Sequence, residues 1–509
     1  MSNPATISDS PPPIIRKLGK FESFYVAAYT LDIYCGTVMT CHYSIPSDLR
    51  GPAFHGKLVE RWKLAIAETI LQHPLLQVGL VNDKSGTPAW VHLDHVDLSQ
   101  HIEWQVINDL EPHNEIFQQT MRHQLDTGFQ DLATRPGWRL IVLRHGDLLD
   151  AMFVWNHCNS DGTGAKIFHQ TLLKSLNNFK NNNRPCLNDC IVKTTTTMQN
   201  ITPSQEVLAP YRITPGFAVA SLWKLLKPPF LDPTSRSRAD SDWGSIRSNP
   251  RKTQLRSLSI DNSTLQNVLS TCRAHSTTLT GLLHGIALLS LAPQLPVEWS
   301  ATLTGETALD IRRFITPGPS GCAWSDPTQL LGNFLSKMEH EFKNSLLKKI
   351  AELRKTDSSD ALEEVLWSVS ATVRQQIEGK LNMGLNNDVV GLTWLIPDWR
   401  MYMKHQMKNP RASLWCVTNL GVIDGDSGTP SPRESSSGDT WSIQRSTFAV
   451  SAHVLSALFN IAIVSAKGGD LCIEVSWQDQ IVETRVGEQL GADIEGWLGR
   501  IGSKVYVKE

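Results

Sequence analysis

A polar cluster follows an apolar run at residues 148–162, and its residue types suit proton transfer. The run LLDAMFVW (148–155) predicts a buried strand, and His157, Asp161 and Gly162 follow it. A histidine has an unperturbed pKa of about 6.5, so one ring nitrogen is a free base near neutral pH. Because glycine lets the backbone turn sharply, the cluster predicts a general base beside a crevice, where it accepts a proton from a hydroxyl.

The carboxylate of Asp161 allows two interpretations. It either orients His157 directly, as in a catalytic triad, or it turns away and pairs with an arginine that holds the loop in shape. Because the spacing is short and the loop tight, we favour the second. The alternative for the whole cluster is purely structural: a capped strand end in which the histidine has no chemical role. The spacing of His157, Asp161 and Gly162, written H-x-x-x-D-G, does not decide between the two, because an isolated match is only modestly specific.

Composition excludes several classes of function. The 509 residues include 48 basic and 50 acidic side chains, for a formal charge of -2, and no long basic run, so we expect no nucleic-acid partner. No apolar stretch is long enough for a transmembrane helix, and the N-terminus lacks the apolar centre of a signal peptide. We therefore expect a cytoplasmic protein. The nine cysteines include no C-x-x-C pair, so neither a disulfide framework nor a metal site is predicted.

Helical and strand patterns alternate along both halves of the chain, which predicts an α/β architecture. We interpret residues 1–20 as a disordered lead-in, 21–180 as an N-terminal domain carrying the polar cluster, 181–250 as a crossover linker, and 251–509 as a C-terminal domain. Within the last, GNFLSKMEHEFKNSLLKKIAELRK (332–355) predicts a long helix and 424–440 a mobile surface loop.

The cluster His157-Cys158-Asn159-Ser160-Asp161-Gly162 matches the H-x-x-x-D-G signature. This signature marks the superfamily of chloramphenicol acetyltransferase, plant BAHD-type acyltransferases and peptide-synthetase condensation domains. Further segments resemble one branch, the fungal alcohol acetyltransferase family, in the expected order along the chain. They are RKLGKFESFYVAAY (16–29), VLSTCRAHSTTLTGLLHGIALLSL (268–291), VTNLGVID (417–424) and SAKGGDLCIEVSWQDQIV (465–482). The D-F-G-W-G motif of the plant branch is absent. Condensation domains usually carry a second histidine where Asn156 stands.

The resemblance implies a two-domain, pseudosymmetric, chloramphenicol-acetyltransferase-like sandwich with a tunnel between the domains. His157 would stand at the midpoint of the tunnel and deprotonate an alcohol, whose oxygen attacks an acyl thioester. In this family the aspartate is usually structural and pairs with an arginine, and the segment DIRRF supplies Arg312 and Arg313. We choose Arg312 as the partner of Asp161. A monomer is expected.

The oxyanion of such a reaction needs a hydrogen-bond donor, because loss of one costs roughly 10²–10³ in turnover. Candidates are the backbone near Gly162 and the hydroxyl of Ser451 on the predicted strand FAVSAH. His453 follows on the same strand and is a candidate for lining the tunnel. Simple strand packing is the structural alternative for both side chains.

Three functions are open at this point. The first is an acyl-CoA-dependent O-acyltransferase, with acetyl-CoA as co-substrate and no metal. The sixteen tryptophans and the lack of basic pockets favour a hydrophobic alcohol such as a secondary metabolite. The second keeps the fold but uses a carrier-protein thioester for condensation or cyclisation. The third is a non-catalytic protein that binds a ligand or a partner, because fold and motif alone do not prove activity.

Overall fold

The computed structural model of the chain describes residues 12–108, 110–178, 187, 189–226, 242–244, 246–249, 251–295, 302–356, 358–425 and 440–503. The strands are β1 (Ile14–Lys17), β2 (Thr37–Ser44), β3 (Val78–Val81), β4 (Ala89–His92), β5 (His95–Asp97), β6 (Ile102–Ile107), β7 (Trp138–His145), β8 (Leu148–Trp155), β9 (Ile191–Lys193), β10 (Thr253–Ile260), β11 (Thr302–Asp310), β12 (Leu335–Lys343), β13 (Trp415–Ile423), β14 (Ser442–Val450), β15 (Phe459–Ala466) and β16 (Leu471–Gln478).

The helices are α1 (Lys20–Thr30), α2 (His55–Gln72), α3 (His113–Asp126), α4 (Gly162–Asn177), α5 (Gln205–Leu208), α6 (Pro215–Leu226), α7 (Asn262–Ala274), α8 (Leu279–Leu291), α9 (Asn344–Lys355), α10 (Ser359–Met383), α11 (Trp399–Gln406) and α12 (Thr484–Ser503). Strands and helices interleave along the chain, so the predicted α/β architecture is confirmed. In the described part of the chain, no single helix has the length and apolar composition to cross a membrane. The segments Asn262–Ala274 and Leu279–Gln294 reach that composition only together, across a bend of 90°.

A five-stranded sheet in the order β14-β2-β8-β7-β6 positions the polar cluster. Strands β7 and β8 form an antiparallel hairpin, and β8 is buried at every position from Leu149 to Trp155. This run, which is apolar except for Asp150, is typical of a strand with both faces covered. Strand β14 comes from the C-terminal half of the chain and pairs antiparallel with β2, so both halves of the chain contribute to this sheet.

The second large sheet has six strands in the order β10-β16-β15-β13-β11-β12. Its central strands β11, β13 and β15 run parallel, whereas the outer pairs are antiparallel. Helix α8 is buried along its whole length except Thr280, which explains its nearly continuous apolar sequence. A hydrophobic core forms between this sheet and the helices α7, α8, α10 and α12.

Two expectations from the sequence differ from the structure. Within the predicted lead-in, residues 1–11 lie outside the described residues, but Ile14–Lys17 forms a strand against Ala89–His92 because Ile15 is buried there. The predicted linker contains a strand, β9, which pairs with β5, and the helix Pro215–Leu226.

The long helix predicted over residues 332–355 is also wrong in its first half. Leu335–Lys343 is a strand that pairs along its whole length with β11, and the helix begins only at Asn344. The loop predicted at 424–440 falls largely on 426–439, outside the described residues.

Candidate active site

The turn between β8 and α4 presents the H-x-x-x-D-G cluster. Strand β8 ends at Trp155, and the N–H of Asn156 donates to Gly137 O at 2.8 Å, which fixes the exit of the strand. Asp161 is the N-cap of α4, and its Oδ1 accepts from the N–H of Gly164 at 2.8 Å. A side-chain cap of this kind satisfies one of the free N–H groups at a helix start. Strand end and helix start thus hold His157 on a short loop.

The imidazole of His157 is held by Asn333. Its Nδ1 lies 3.0 Å from Asn333 Oδ1, and the amide Nδ2 of Asn333 donates to the backbone carbonyl of His157. Because Nδ2 must donate to that carbonyl, Oδ1 is the acceptor, and Nδ1 therefore carries the ring proton. The lone pair is then on Nε2, which has no hydrogen-bond partner among the described residues. His157 keeps 9% of its surface exposed, so the ring is covered but not sealed.

An aromatic ring covers one face of the imidazole. The Tyr25 ring stacks on His157 with centroids 3.8 Å apart and an interplanar angle of 8°. Tyr34 lies at 5.7 Å with its ring edge-on to the same imidazole. Together with Asn333 these rings fix the plane of the histidine, so that Nε2 points in a defined direction.

Burial sets the protonation state of this histidine. It lowers the pKa of His157 to about 4, against smaller opposing effects of the Asp161 charge and the hydrogen bond to Asn333. A neutral imidazole with a free Nε2 is the form that accepts a proton. The arrangement is therefore suited to general-base chemistry across the neutral range.

A pH profile tests this assignment. Because the pKa of His157 is lowered to about 4, the free base persists as the pH falls through the ordinary histidine range. We expect kcat/KM to stay level from about pH 7 down to about pH 5 and to fall only below that. The measurement is initial rates in overlapping buffers, with circular dichroism at each pH as the control for unfolding. A midpoint near the unperturbed value of about 6.5 would contradict the assignment.

Asp161 makes its contacts away from His157. Arg312 donates to both of its carboxylate oxygens at 2.9 Å, and Oδ2 also accepts from the N–H of Phe334 at 2.8 Å. The Arg312 guanidinium donates further to the carbonyls of Leu330 and Gly332. Both partners of the ion pair are buried, and in the described part of the chain no hydrogen bond joins Asp161 to the imidazole.

Of the two candidate arginines, Arg312 makes the ion pair and Arg313 is exposed. The geometry matches the interpretation in which the aspartate holds the loop while another group orients the histidine. That other group is Asn333. Because Gly332 accepts from the N–H of Asp161, and Asn333 and Phe334 also bond to the cluster, residues 332–334 form its second wall.

Gly162 lies where two side chains approach the backbone closely. A Cβ at this position would come within 2.7 Å of the Leu420 side chain and 3.1 Å of Phe448. The start of α4 therefore lies directly against strands β13 and β14. A side chain here would require at least the end of the Leu420 side chain to shift.

Ser451 and His453 occupy different environments. Ser451 is fully buried, and its Oγ accepts from the N–H groups of Cys35 and Gly36 at 3.2 and 3.3 Å. It joins the end of β14 to the segment before β2. His453 borders a cavity, and its ring lies 5.2 Å from that of Tyr34. Burial and the charge of Arg411 lower its pKa to about 3.

An apolar cavity of about 420 Å³ borders the histidine region, and we call it the apolar cavity. Tyr25, which stacks on His157, is part of its wall, as is His453. Its other lining is largely aromatic and aliphatic and includes Phe21, Phe24, Leu335, Trp399 and Tyr402. Such a lining suits a hydrophobic small molecule.

A second cavity of about 830 Å³ borders the other end of the signature loop, and we call it the basic cavity. It is lined by Thr163 at the start of α4 and by Arg312, together with the cationic side chains of Lys166 and Arg313. His157 itself lines neither cavity: it contacts the apolar cavity wall through Tyr25, and Thr163 at the end of its loop lines the basic cavity. A tunnel that joins the two cavities stays a prediction.

Sequence reasoning missed two contacts of the histidine. Tyr25 lies in a segment that carries the family resemblance, but nothing in its local pattern shows that it stacks on a residue 132 positions away. Asn333 follows a glycine in an unremarkable polar stretch. Its role depends on the segment just before β12 reaching the loop after β8, which no local signal predicts. Within the described residues, no cluster of histidine, cysteine and acidic side chains is arranged to bind a metal ion.

Comparison with solved structures defines the class of fold. The trichothecene 15-O-acetyltransferase TRI3 from Fusarium sporotrichioides aligns over 95% of both chains with a TM-score of 0.64 at 13% identity. The condensation domain of the monacolin K polyketide synthase MokA aligns over 96% of this chain and 97% of its own, with a TM-score of 0.54 at 10% identity. The fold is therefore the two-domain, chloramphenicol-acetyltransferase-like fold shared by these acyltransferases and condensation domains.

The sequence places the chain within that class. The alcohol acetyltransferase family model matches residues 105–490, and the chain belongs to this family. A probable alcohol acetyltransferase of Fusarium pseudograminearum, FCK4, is 25% identical over 97% of this chain and 96% of its own length. A second, crmB of Aspergillus fumigatus, is 23% identical over 91% and 95%. The chain is an O-acyltransferase, as predicted, and the non-catalytic alternative has no support.

Proposed function

We propose that the chain transfers an acyl group, acetyl by preference, from acyl-CoA to the hydroxyl of a hydrophobic alcohol, with His157 as general base. The observation that carries this proposal is the neutral imidazole whose Nδ1 proton is held by Asn333 and whose Nε2 is free. This imidazole lies on the loop between the apolar cavity and the basic cavity.

The proposed reaction uses one ring nitrogen twice. Nε2 takes the proton of the alcohol while the alcohol oxygen attacks the thioester carbonyl carbon, which forms the C–O bond and a tetrahedral oxyanion. As the intermediate collapses, the C–S bond breaks, and the protonated Nε2 returns its proton to the leaving thiolate. Asn333 keeps Nδ1 protonated throughout, so the ring presents the same nitrogen in both steps.

For the oxyanion donor we favour the backbone N–H of Gly162 over Ser451. Helix α4 begins at Gly162, and the first-turn N–H groups of a helix attract negative charge. Ser451 is fully buried, and its oxygen is already used as an acceptor by two backbone N–H groups. Its position suits a structural role at the end of β14.

The two cavities suit the two substrates. We assign the alcohol to the apolar cavity, where the lining matches a bulky apolar molecule. We assign the acyl-CoA to the basic cavity, where Lys166 and Arg313 supply positive charge for phosphate groups. A secondary-metabolite alcohol is supported by the likeness in fold to TRI3 and to F. sporotrichioides TRI101, whose structure was determined with coenzyme A and T-2.

A donor-side variant tests the assignment of acyl-CoA. Arg313 is exposed at the basic cavity and makes no hydrogen bond among the described residues, so Arg313→Ala should leave the fold intact. We expect the ratio of kcat/KM for acetyl-CoA to that for acetyl-pantetheine, which lacks the nucleotide phosphates, to fall about tenfold. Arg135→Ala, which removes a half-exposed arginine that pairs with Asp131 elsewhere on the surface, is the control.

The assay itself uses acetyl-CoA with a panel of hydrophobic alcohols and measures free coenzyme A and the ester. Failure to release coenzyme A with every alcohol, together with no binding of coenzyme A, would favour the carrier-protein alternative. Unchanged donor preference in Arg313→Ala would place the nucleotide elsewhere on the protein.

A further inference from the structure

One arginine at the apolar cavity has an unusual set of contacts. Arg411 is 1% exposed and lies where the cavity wall is formed by residues 410–412, 453, 455 and 456. Its Nη1 donates to the carbonyls of His453 and Ser456, at 3.2 and 2.6 Å. Its backbone N–H donates to Gly244 O at 2.9 Å. These bonds hold the guanidinium in place against the segment that carries His453.

The other two nitrogens of this guanidinium have no partner. Nε and Nη2 are buried and make no hydrogen bond in the described part of the chain. No carboxylate there forms an ion pair with Arg411. Burial lowers the pKa of Arg411 to about 10, which leaves the side chain charged at neutral pH. A buried cation without a counterion is strongly unfavourable, and a buried polar group without a hydrogen-bond partner calls for an explanation.

The neighbouring cation of the wall is neutralised, and Arg411 is not. Lys337 also lines the apolar cavity, and its Nζ lies 3.0 Å from the Glu306 carboxylate. Ser413 donates to the same carboxylate. The charge of Arg411 therefore remains uncompensated in a cavity whose other lining is mainly apolar.

The free nitrogens define the shape of the missing partner. Nε and Nη2 are the two atoms of the side-on fork of a guanidinium, and this fork matches the two oxygens of a carboxylate. A structural tether to the 453–456 segment needs only Nη1 and explains neither of the other two nitrogens. A ketone or ester oxygen would fill part of the fork but would not balance the charge.

We propose that Arg411 binds a carboxylate of the acceptor, so that the alcohols acetylated by this protein are hydroxy acids with an apolar body. This inference rests on the proposed function, because it assigns the apolar cavity to the alcohol. Both free nitrogens are buried although Arg411 lines the cavity, so side chains of the wall must shift for a carboxylate to reach them.

The test compares acids with their esters. A series of straight-chain ω-hydroxy carboxylic acids, their methyl esters and the matching alkanols is assayed with acetyl-CoA. We expect kcat/KM for the acids to exceed that for the esters by about tenfold or more at the best chain length. Arg411→Gln should remove most of this preference, and Arg411→Lys should restore part of it. Equal use of acids and esters by the native protein would overturn the proposal.

A binding measurement separates the two proposals. Titration calorimetry with straight-chain fatty acids and the matching alkanols needs no turnover, so it reports on Arg411 even if no alcohol is acetylated. We expect the native protein to bind the acids more tightly than the alkanols, and Arg411→Gln to abolish the difference. Acetylation of neutral alcohols without any preference for acids would leave the proposed function standing and overturn only the role of Arg411. If Arg411→Gln does not fold, the acid-to-alkanol ratio of the native protein alone decides.

Discussion

Replacement of His157 by alanine is expected to lower kcat/KM by about 10²–10⁴, the usual contribution of a positioned general base. The loss should fall mainly on kcat, because the imidazole acts on the reacting hydroxyl and not on the body of either substrate. Steady-state kinetics with acetyl-CoA and an accepted alcohol measure it. The His157 side chain contacts Tyr25 and Asn333, and thermal unfolding of the variant checks that removing the ring leaves the fold intact.

His453→Ala provides the matched control. This histidine also borders the apolar cavity, and its pKa is lowered to about 3, so it too is neutral at the working pH. Its Nδ1 accepts from the N–H of Leu455, and we give it no role in proton transfer. We expect a smaller effect, expressed in the KM for the alcohol. If His453→Ala lost as much kcat as His157→Ala, the assignment of the general base would be wrong.

The second large effect is on stability. Asp161→Asn should lower the free energy of unfolding by about 3–5 kcal/mol, because it leaves the buried Arg312 guanidinium without its charged partner. The pair has both side chains almost fully buried, at 3% and 4% exposure, and two parallel hydrogen bonds of 2.9 Å. Chemical denaturation monitored by fluorescence gives the value. Activity should fall with it, because the loop that carries His157 loses its support.

The same arginine offers an internal comparison. Asp310 also pairs with Arg312, at 3.1 Å, but its side chain is 41% exposed. Asp310→Asn should therefore cost no more than about 1 kcal/mol, as exposed ion pairs usually do. The charge of Asp161 raises the pKa of His157, so the Asp161→Asn protein that remains folded should keep its activity to a lower pH than the native enzyme. An acid limb that begins at a higher pH than in the native enzyme would contradict this interpretation of Asp161.

The sequence predicts the parts of the site that are local in the chain. A buried strand, a polar loop and the start of a helix follow one another within residues 148–177, so their order alone places His157 and Asp161. The partner of Asp161 also follows from a short segment, although only the buried turn at Arg312 shows which of two adjacent arginines points inward.

The contacts that depend on distant residues could not be predicted. Asn333 meets His157 across 176 positions of the chain, and its side chain type is common in loops.

The strand Leu335–Lys343 was predicted as a helix for another reason. Its inward face carries Ser336 and His340, which are buried because they hydrogen-bond to Asp388 and to Thr307 and Gln376. Polar residues at buried positions remove the alternation that marks a strand, and Leu335, Met338 and Phe342 then imitate a helical spacing.

The pairing of β14 with β2 has a consequence for biosynthesis. About four hundred residues separate the two strands, so the sheet that carries the signature loop lacks an outer strand until the ribosome has passed Val450. During that interval the open edge of β2 exposes unpaired backbone groups, which are prone to pair with other nascent chains. The closure of so large a loop also slows folding. We therefore expect the sheet of the N-terminal half to be completed only after β14 is made, so that the signature loop reaches its final structure when synthesis of the chain is nearly complete.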